Sequence, residues 1–423
     1  MQKIWTFKDN ENIDTEGVDL KTFKPSGKFY EDVEVLCRLF NTKVHPALKP
    51  AVYSMTEEQK QQHDSQQQLQ QNAAEEQKHA EINTLNLFKH RLDRNSMKVM
   101  FLALQSSPNI HTLKFSNNGF THSQFSQMID YLSQETCPIQ HLFFDWNPIY
   151  ENDYSTQFAQ RNQLYQPKQA TESCLFAKLL QQNHKLQVLF LRASNLTDED
   201  VKQICHVLKP DPANPAHANK TLKVLDISYN PITKASLKSI ADMMDLNRTL
   251  EYLGLAKCSL QAKSLNKILN QIGRIPFPQD QVEAHLGKLK ARDQIIEKNK
   301  KLKQSKKPEE PVPILDNIEQ QTSIAADGSE VQGWVMLKNV QFKHINLCMN
   351  EVNDDIKENV ALLLRRTNDD FGITLSGNPI GKDSIEFLQR TAYEVHQHRI
   401  QNQTDLTNQQ HIDQYIGLKR IAF

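Results

Sequence analysis

The sequence predicts an α/β solenoid: a curved parallel sheet with helices on its outer side, built from repeats of 28–29 residues and interrupted by insertions. Two observations carry this reading. An eleven-residue pattern recurs, as "LKVLDISYNPI" at 222–232, as "IQHLFFDWNPI" at 139–149 and, in its last eight positions, as "ITLSGNPI" at 373–380. Its spacing is also regular. Eight placements begin at Ile82, Ile110, Ile139, Leu186, Leu222, Leu250, Phe342 and Asp370, at intervals of 28, 29, 47, 36, 28, 92 and 28 residues.

Apolar residues at positions one, four, six and eleven with Asn at nine form the strand-and-turn half of a leucine-rich repeat, and the spacing is that of its long, helix-containing class, similar to ribonuclease inhibitor. Alternation sends Leu225 and Ile227 to one face of the strand and Val224, Asp226 and Ser228 to the other. Asn230 then satisfies turn backbone groups with its amide. In "TKASLKSIADMMDLN", Leu237, Ile240, Ala241 and Met244 make an apolar stripe on a helix that returns the chain. One such unit cannot cover its own core, so neighbours must stack.

Along the chain, residues 1–80 form an N-terminal extension. "FYEDVEVLCRLFNTKV" predicts a short amphipathic helix, and the Gln-rich "EEQKQQHDSQQQLQQNAAEEQKHA" predicts a helical or disordered spacer. Repeats occupy 81–272, with excursions at about 150–173 and 209–219. Ser194 and Cys258 stand in for the turn Asn, and His90 does so in the first copy. Residues 273–335 predict a charged helix with a sparse apolar stripe (Val282, Leu286, Leu289, Ile296), then a Pro-punctuated extended linker. The basic run "KNKKLKQSKK" could touch an acidic polymer such as RNA or a tubulin tail, or be a solvated helix end. Repeats resume over 336–391, so strand 342–348 should pair in parallel beside strand 250–256. The tail, 392–423, is polar with an apolar finish. Both ends read either as docking arms or as the caps that solenoids need.

Composition narrows the function. Lys plus Arg and Asp plus Glu are both 50 in 423 residues, so no long-range field favours nucleic acid or an anionic membrane. Six widely spaced cysteines with no CxxC predict a reducing compartment without disulfides, and the N-terminus has no apolar signal core, which predicts a soluble intracellular chain. No GxGxxG, GxxxxGKS or HExxH is present, and adjacency alone does not make Cys205 and His206 a nucleophile and base. The expectation is therefore a non-enzyme with no cofactor and no metal.

The positions left for function are those on the concave face. Positions three, five and seven give His141, Phe143 and Asp145, then Val188, Phe190 and Arg192, then Val224, Asp226 and Ser228, then Tyr252; Trp146 and Tyr229 at position eight extend an aromatic stripe among opposite charges. Aromatics beside Arg are what protein interfaces concentrate, which makes His141, Phe143, Asp145, Trp146, Phe190, Arg192, Asp226, Tyr229 and Tyr252 the candidate protein-binding residues. The alternative is that the chain's own insertions fold over this surface.

Residues 219–269, "NKTLKVLDISYNPITKASLKSIADMMDLNRTLEYLGLAKCSLQAKSLNKIL", with "NKTL" and "LNRTL" before successive strands and a charged helical excursion after them, resemble the leucine-rich repeat-containing protein 71 family. The resemblance implies a structural, non-catalytic place in a ciliary or flagellar axoneme, with axonemal proteins of a large hetero-complex as partners, microtubule association, and localisation to cytoplasm, cytoskeleton and cilium. Two rival readings remain: a leucine-rich repeat regulator of a small GTPase, for which Arg192 is the concave arginine, and a soluble adaptor for protein turnover.

Overall fold

In the computed structural model, the described residues are 5–6, 17–50, 82–148, 174–211, 218–324, 330–368, 370–402 and 421–422. The Gln-rich spacer, the excursion near 150–173 and most of the tail lie outside them. The chain forms two compact units, one of residues 1–168 with 185–195 and one of 169–184 with 196–423.

The first unit holds four parallel strands in register, β2 (Thr84–Phe88), β4 (Thr112–Ser116), β5 (His141–Asp145) and β6 (Val188–Phe190), with Leu85, Leu113, Leu142 and Leu189 aligned across the sheet. All four leucines are buried. Each strand begins at position three of a sequence placement, so the apolar alternation located every one. Two short strands, β1 (Trp5–Thr6) and β3 (His90–Arg91), pair beside this sheet. Helices α2 (Arg94–Gln105) and α3 (His122–Leu132) follow β2 and β4, the second opened by a capping box between Thr121 and Gln124.

The predicted N-terminal amphipathic helix is α1 (Phe29–Leu39). Its apolar face, Phe29, Val33, Leu36 and Cys37, is buried and lies against α2. The carboxylate of Asp32, also buried, accepts the Ser106 hydroxyl at 2.7 Å and the Ser26 amide at 2.7 Å. Of the two readings for this end, residues 29–39 follow the cap.

The second unit holds five parallel strands, β7 (Val224–Asp226), β8 (Tyr252–Gly254), β12 (His344–Asn346), β13 (Gly372–Thr374) and β14 (Ile421–Ala422), in that spatial order. β12 pairs with β8, His344 opposite Tyr252, Ile345 opposite Leu253 and Asn346 opposite Gly254. The 92-residue interval is therefore an excursion between adjacent strands, as the spacing predicts. The apolar finish of the tail is itself an edge strand, Ile421 beside Ile373. Helices α4 (Leu175–Gln182), α5 (Asp198–Leu208), α6 (Lys234–Leu246), α7 (Ala262–Leu269), α9 (Lys357–Arg366) and α10 (Lys382–Asn402) complete the unit. The expected boundary at 392 falls inside α10, because its stripe of Leu388, Ala392 and His396 stays buried across that point.

Within the excursion, α8 (Val282–Gln304) is the predicted charged helix. Where a Pro-punctuated extended linker was expected after it, β10 (Ile318–Ile324) and β11 (Glu330–Leu337) pair antiparallel, and β11 pairs in turn with β9 (Arg274–Phe277). The module is tied to the end of α6 by charge. Lys338 reaches Asp245 at 2.5 Å and Asp316 at 2.9 Å, and Arg248 also engages Asp316.

The turns explain the Asn at position nine. All eight residues at position eight, Lys89, Asn117, Trp146, Ala193, Tyr229, Lys257, Met349 and Gly377, are left-handed, with φ from 52° to 72°. Seven are not glycine, and each costs about 1–2 kcal/mol in that conformation. In the copies other than the first, the side chain of the next residue bonds the turn and offsets this. Asn147 accepts the Asn118 amide at 2.7 Å and donates to the carbonyls of Phe115 and Asp145. Asn350 and Asn378 repeat the arrangement in the second unit. Where Asn is replaced, Ser194 still donates to the Phe144 carbonyl at 2.8 Å, and the Cys258 thiol reaches the carbonyls of Ala256 and Ile227. The "NKTL" and "NRTL" pairs work similarly. The Asn219 and Asn247 side chains donate to a preceding helix end (Leu180 and Leu208 carbonyls) and accept two amides that open the next strand.

Candidate functional site

Positions three and five of each strand face away from the leucine core. In the first unit, position five brings Asn86, Lys114, Phe143 and Phe190 into one row. Phe143 and Phe190 stack with centroids 4.7 Å apart at 27°. The Lys114 ammonium lies 5.2 Å over Phe143 and the Arg192 guanidinium 5.1 Å over Phe190, so the ring pair is clamped between two cations. Both rings remain half-buried. Arg192 is itself fixed by Asp145, at 2.6 Å from guanidinium to carboxylate and 3.1 Å from its backbone amide. His141 sits in the position-three row with its Nδ1 3.0 Å from the Thr112 hydroxyl; its pKa is lowered by burial and by nearby His111.

Beside this row, Trp146 occupies a left-handed turn and is 56% exposed, while its amide donates to the Arg192 carbonyl at 2.7 Å. At the sheet edge Phe88 is 53% exposed with the Lys89 ammonium 4.6 Å over its ring. Sequence reasoning placed the Phe143, Phe190, Arg192 and Trp146 group and missed Lys114, Phe88 and Lys89. These occupy positions five, seven and eight of the first two placements, so extending the same rows to those copies finds them.

In the second unit, Tyr252 stacks on His344 at 5.5 Å and 6° between ring planes, and His344 Nε2 lies 2.9 Å from the Thr374 hydroxyl. Tyr229 carries the Lys257 ammonium 5.5 Å over its ring, and its hydroxyl is 4.0 Å from the Met349 sulfur, which makes a position-eight ridge of Tyr229, Lys257 and Met349. His344, Lys257 and Met349 were likewise reachable from the template.

Two candidate residues are corrected. Asp226 and Asp145, expected on the open face, are buried at 3% and 6% exposure. Asp226 occupies the space left by the missing side chain of Gly254, opposite it on β8, and accepts the Ser228 amide at 3.0 Å. Ser228 is buried too, accepting the Ala256 amide at 2.9 Å. Asp145 serves Arg192. Both carboxylates are spent inside the sheet and present nothing to a partner.

The Cys205 and Cys258 thiols are pushed up to about 12 by burial, so neither supplies a thiolate near neutral pH. Arg192, which a GTPase-regulating reading would require, is held by Asp145 and Phe190.

No protein-family model and no curated protein matches this sequence. Among solved structures, the chain is similar to one described as a crystal structure of a TLR13–ssRNA13 complex, at 12% identity and a TM-score of 0.28, over 71% of this chain and 29% of that one. The chain thus spans less than a third of that protein's length. The mixed α/β architecture, with its parallel strands in register and intervening helices, is consistent with a leucine-rich-repeat-like solenoid.

Proposed function

We propose that this protein is a non-catalytic scaffold that binds other proteins through the open faces of its parallel strands, as part of a ciliary or flagellar axonemal complex. The observation that carries the binding role is the Phe143–Phe190 pair clamped by Lys114 and Arg192 beside exposed Trp146. A rigid aromatic pair with its cations already positioned loses little side-chain freedom on binding, which is what interface anchors require. A formal net charge of zero leaves bulk attraction no role, so recognition rests on such local anchors. The axonemal setting and microtubule association rest on the resemblance of residues 219–269.

Fractionation of cilia tests the whole reading: the chain should stay with demembranated axonemes, whereas a GTPase regulator or a turnover adaptor should be released with the soluble fraction. Phe143→Ala combined with Phe190→Ala tests the face. Truncating interface aromatics commonly costs about 2 kcal/mol, roughly a thirtyfold loss of affinity. The expected outcome is an unchanged circular dichroism spectrum with weakened retention. Full retention of the folded variant would remove this face from the binding role.

A further inference from the structure

The excursion between β8 and β12 presents a second surface. One side of α8 is occupied by its own return segment. His285 Nε2 lies 2.7 Å from the Asp316 carbonyl, Arg292 donates to the Leu315 carbonyl at 3.0 Å, and Asn299 and Glu310 exchange bonds at 2.7 and 2.8 Å. On the helix, His285, buried Leu289, Arg292 and Asn299 follow one another at spacings of four, three and seven, which keeps them on one side, so the covered side is largely polar. The uncovered side ends in lysine. Lys298, Lys300, Lys301, Lys303, Lys306 and Lys307 are all exposed, with no acidic residue among positions 298–307. Lys298 pairs with Glu310 and Lys300 with Glu297; among the described residues, Lys301, Lys303, Lys306 and Lys307 make no ion pair. The last two are held against the final turn, since Lys306 is left-handed and the Lys307 amide donates to the Leu302 carbonyl at 3.0 Å.

We propose that this lysine-rich end of α8 docks an acidic segment, rich in glutamate or aspartate, of a partner protein. On a chain of zero formal net charge, four lysines without an ion pair among the described residues, within positions 301–307, make a local positive field that acts over about one Debye length, roughly 8 Å at physiological salt. Two lysines in the last turn would already suit the negative end of the helix; Lys306 and Lys307 lie past its cap. The chemistry favours a peptide over other anions. No Phe, Tyr or Trp lies between 282 and 307 to stack a base, which single-stranded nucleic acid binding ordinarily uses, and the His285 ring packs on Phe277. Nor does α8 carry a fully exposed large apolar side chain to enter a lipid surface: Val282 and Leu289 are buried, and Leu286, Ile295, Ile296 and Leu302 are half-buried. Ion pairs of Asp316 with Lys338 and Arg248, and of Lys338 with Asp245, tie the return segment to the end of α6, and the Asp316 carbonyl meets His285 near the start of α8.

The test uses the full chain and a fluorescent polyglutamate peptide in an anisotropy titration at low and physiological salt. Binding that weakens as salt rises is expected. The variant Lys301→Gln, Lys303→Gln, Lys307→Gln should bind about tenfold less tightly, about 1.4 kcal/mol, with an unchanged circular dichroism spectrum. Lys288→Gln with Lys290→Gln, on the same helix but before the run, should bind as the parent does. The proposal is overturned if the parent does not bind the peptide, if the triple variant keeps its affinity, or if oligouridylate or phosphatidylserine vesicles bind as tightly as the peptide. Phe143 and Phe190 lie outside this site, so their substitution leaves peptide binding unchanged.

Discussion

Asn350 closes the ladder across the longest interruption in the chain, and removing its side chain tests how the excursion is bridged. Its Oδ1 accepts the amides of Cys258 at 2.9 Å and Leu260 at 3.1 Å, residues about ninety positions earlier, while its Nδ2 donates to the carbonyls of Leu255, Leu347 and Cys348. Asn350→Ala therefore leaves two amides without their acceptor in a site where Cys258 and Leu260 are buried. Each buried orphan costs about 1–3 kcal/mol, and because the two share one partner their sum falls short of additive, so a loss of about 2–4 kcal/mol is expected. Urea unfolding followed by circular dichroism should show the lowered midpoint. Hydrogen exchange over residues 256–261 should accelerate while exchange over 112–116, in the other unit, does not change. Asn350→Asp keeps the acceptor and loses the donors, and should fall between the parent and the alanine variant. An alanine variant with the parent's midpoint and exchange rates would refute the claim that this amide joins the segments on either side of the excursion.

Two further substitutions follow from the geometry. Gly254→Ala places a Cβ against the carboxylate of buried Asp226 and should lower the melting temperature, with a loss of about 1–3 kcal/mol; an unchanged melting curve would mean that Asp226 is free to move. His45 should make stability pH-dependent. Burial is the main cause that lowers its pKa to about 4, from roughly 6.5 in an unfolded chain. The folded state therefore keeps it neutral, its Nδ1 accepting the Ala47 amide, while the unfolded state takes up a proton. Its contribution is fully present above about pH 6.5 and is lost as pH falls towards 4, by about 3 kcal/mol in all. Melting temperature measured across that window should fall less steeply in His45→Gln, and an identical slope would reject the assignment.

Residues with a period could be read without the structure. The apolar alternation located the eight strands that carry the template, because a strand with one buried face must place Leu85, Leu113, Leu142 and Leu189 at the same phase of every copy. Phe143, Phe190, Arg192 and Trp146 were legible as a group for the same reason: equal template positions on neighbouring strands become neighbours in space. The helix at 29–39 and the charged helix at 282–304 were likewise visible from local spacing and composition.

Tertiary structure decided what depends on partners distant in sequence. Asp226 looks exposed by alternation, yet it is buried because the residue opposite is glycine, a fact that belongs to a register and not to a strand. The left-handed residues at position eight carry side chains as different as Trp146, Ala193 and Lys257, so no residue preference announces them; the turn is held by the amide that follows and by carbonyls of the neighbouring copy. The strand at 330–337 was hidden because its pairing with 274–277 spans about sixty residues, the strand at 318–324 because it pairs only with 330–337, and the last strand, Ile421–Ala422, because it is too short to show any period. Periodicity records which face of an element is buried, whereas charge burial, cation clamps and sheet edges are set by which atoms arrive from elsewhere in the chain, and only the folded arrangement supplies those.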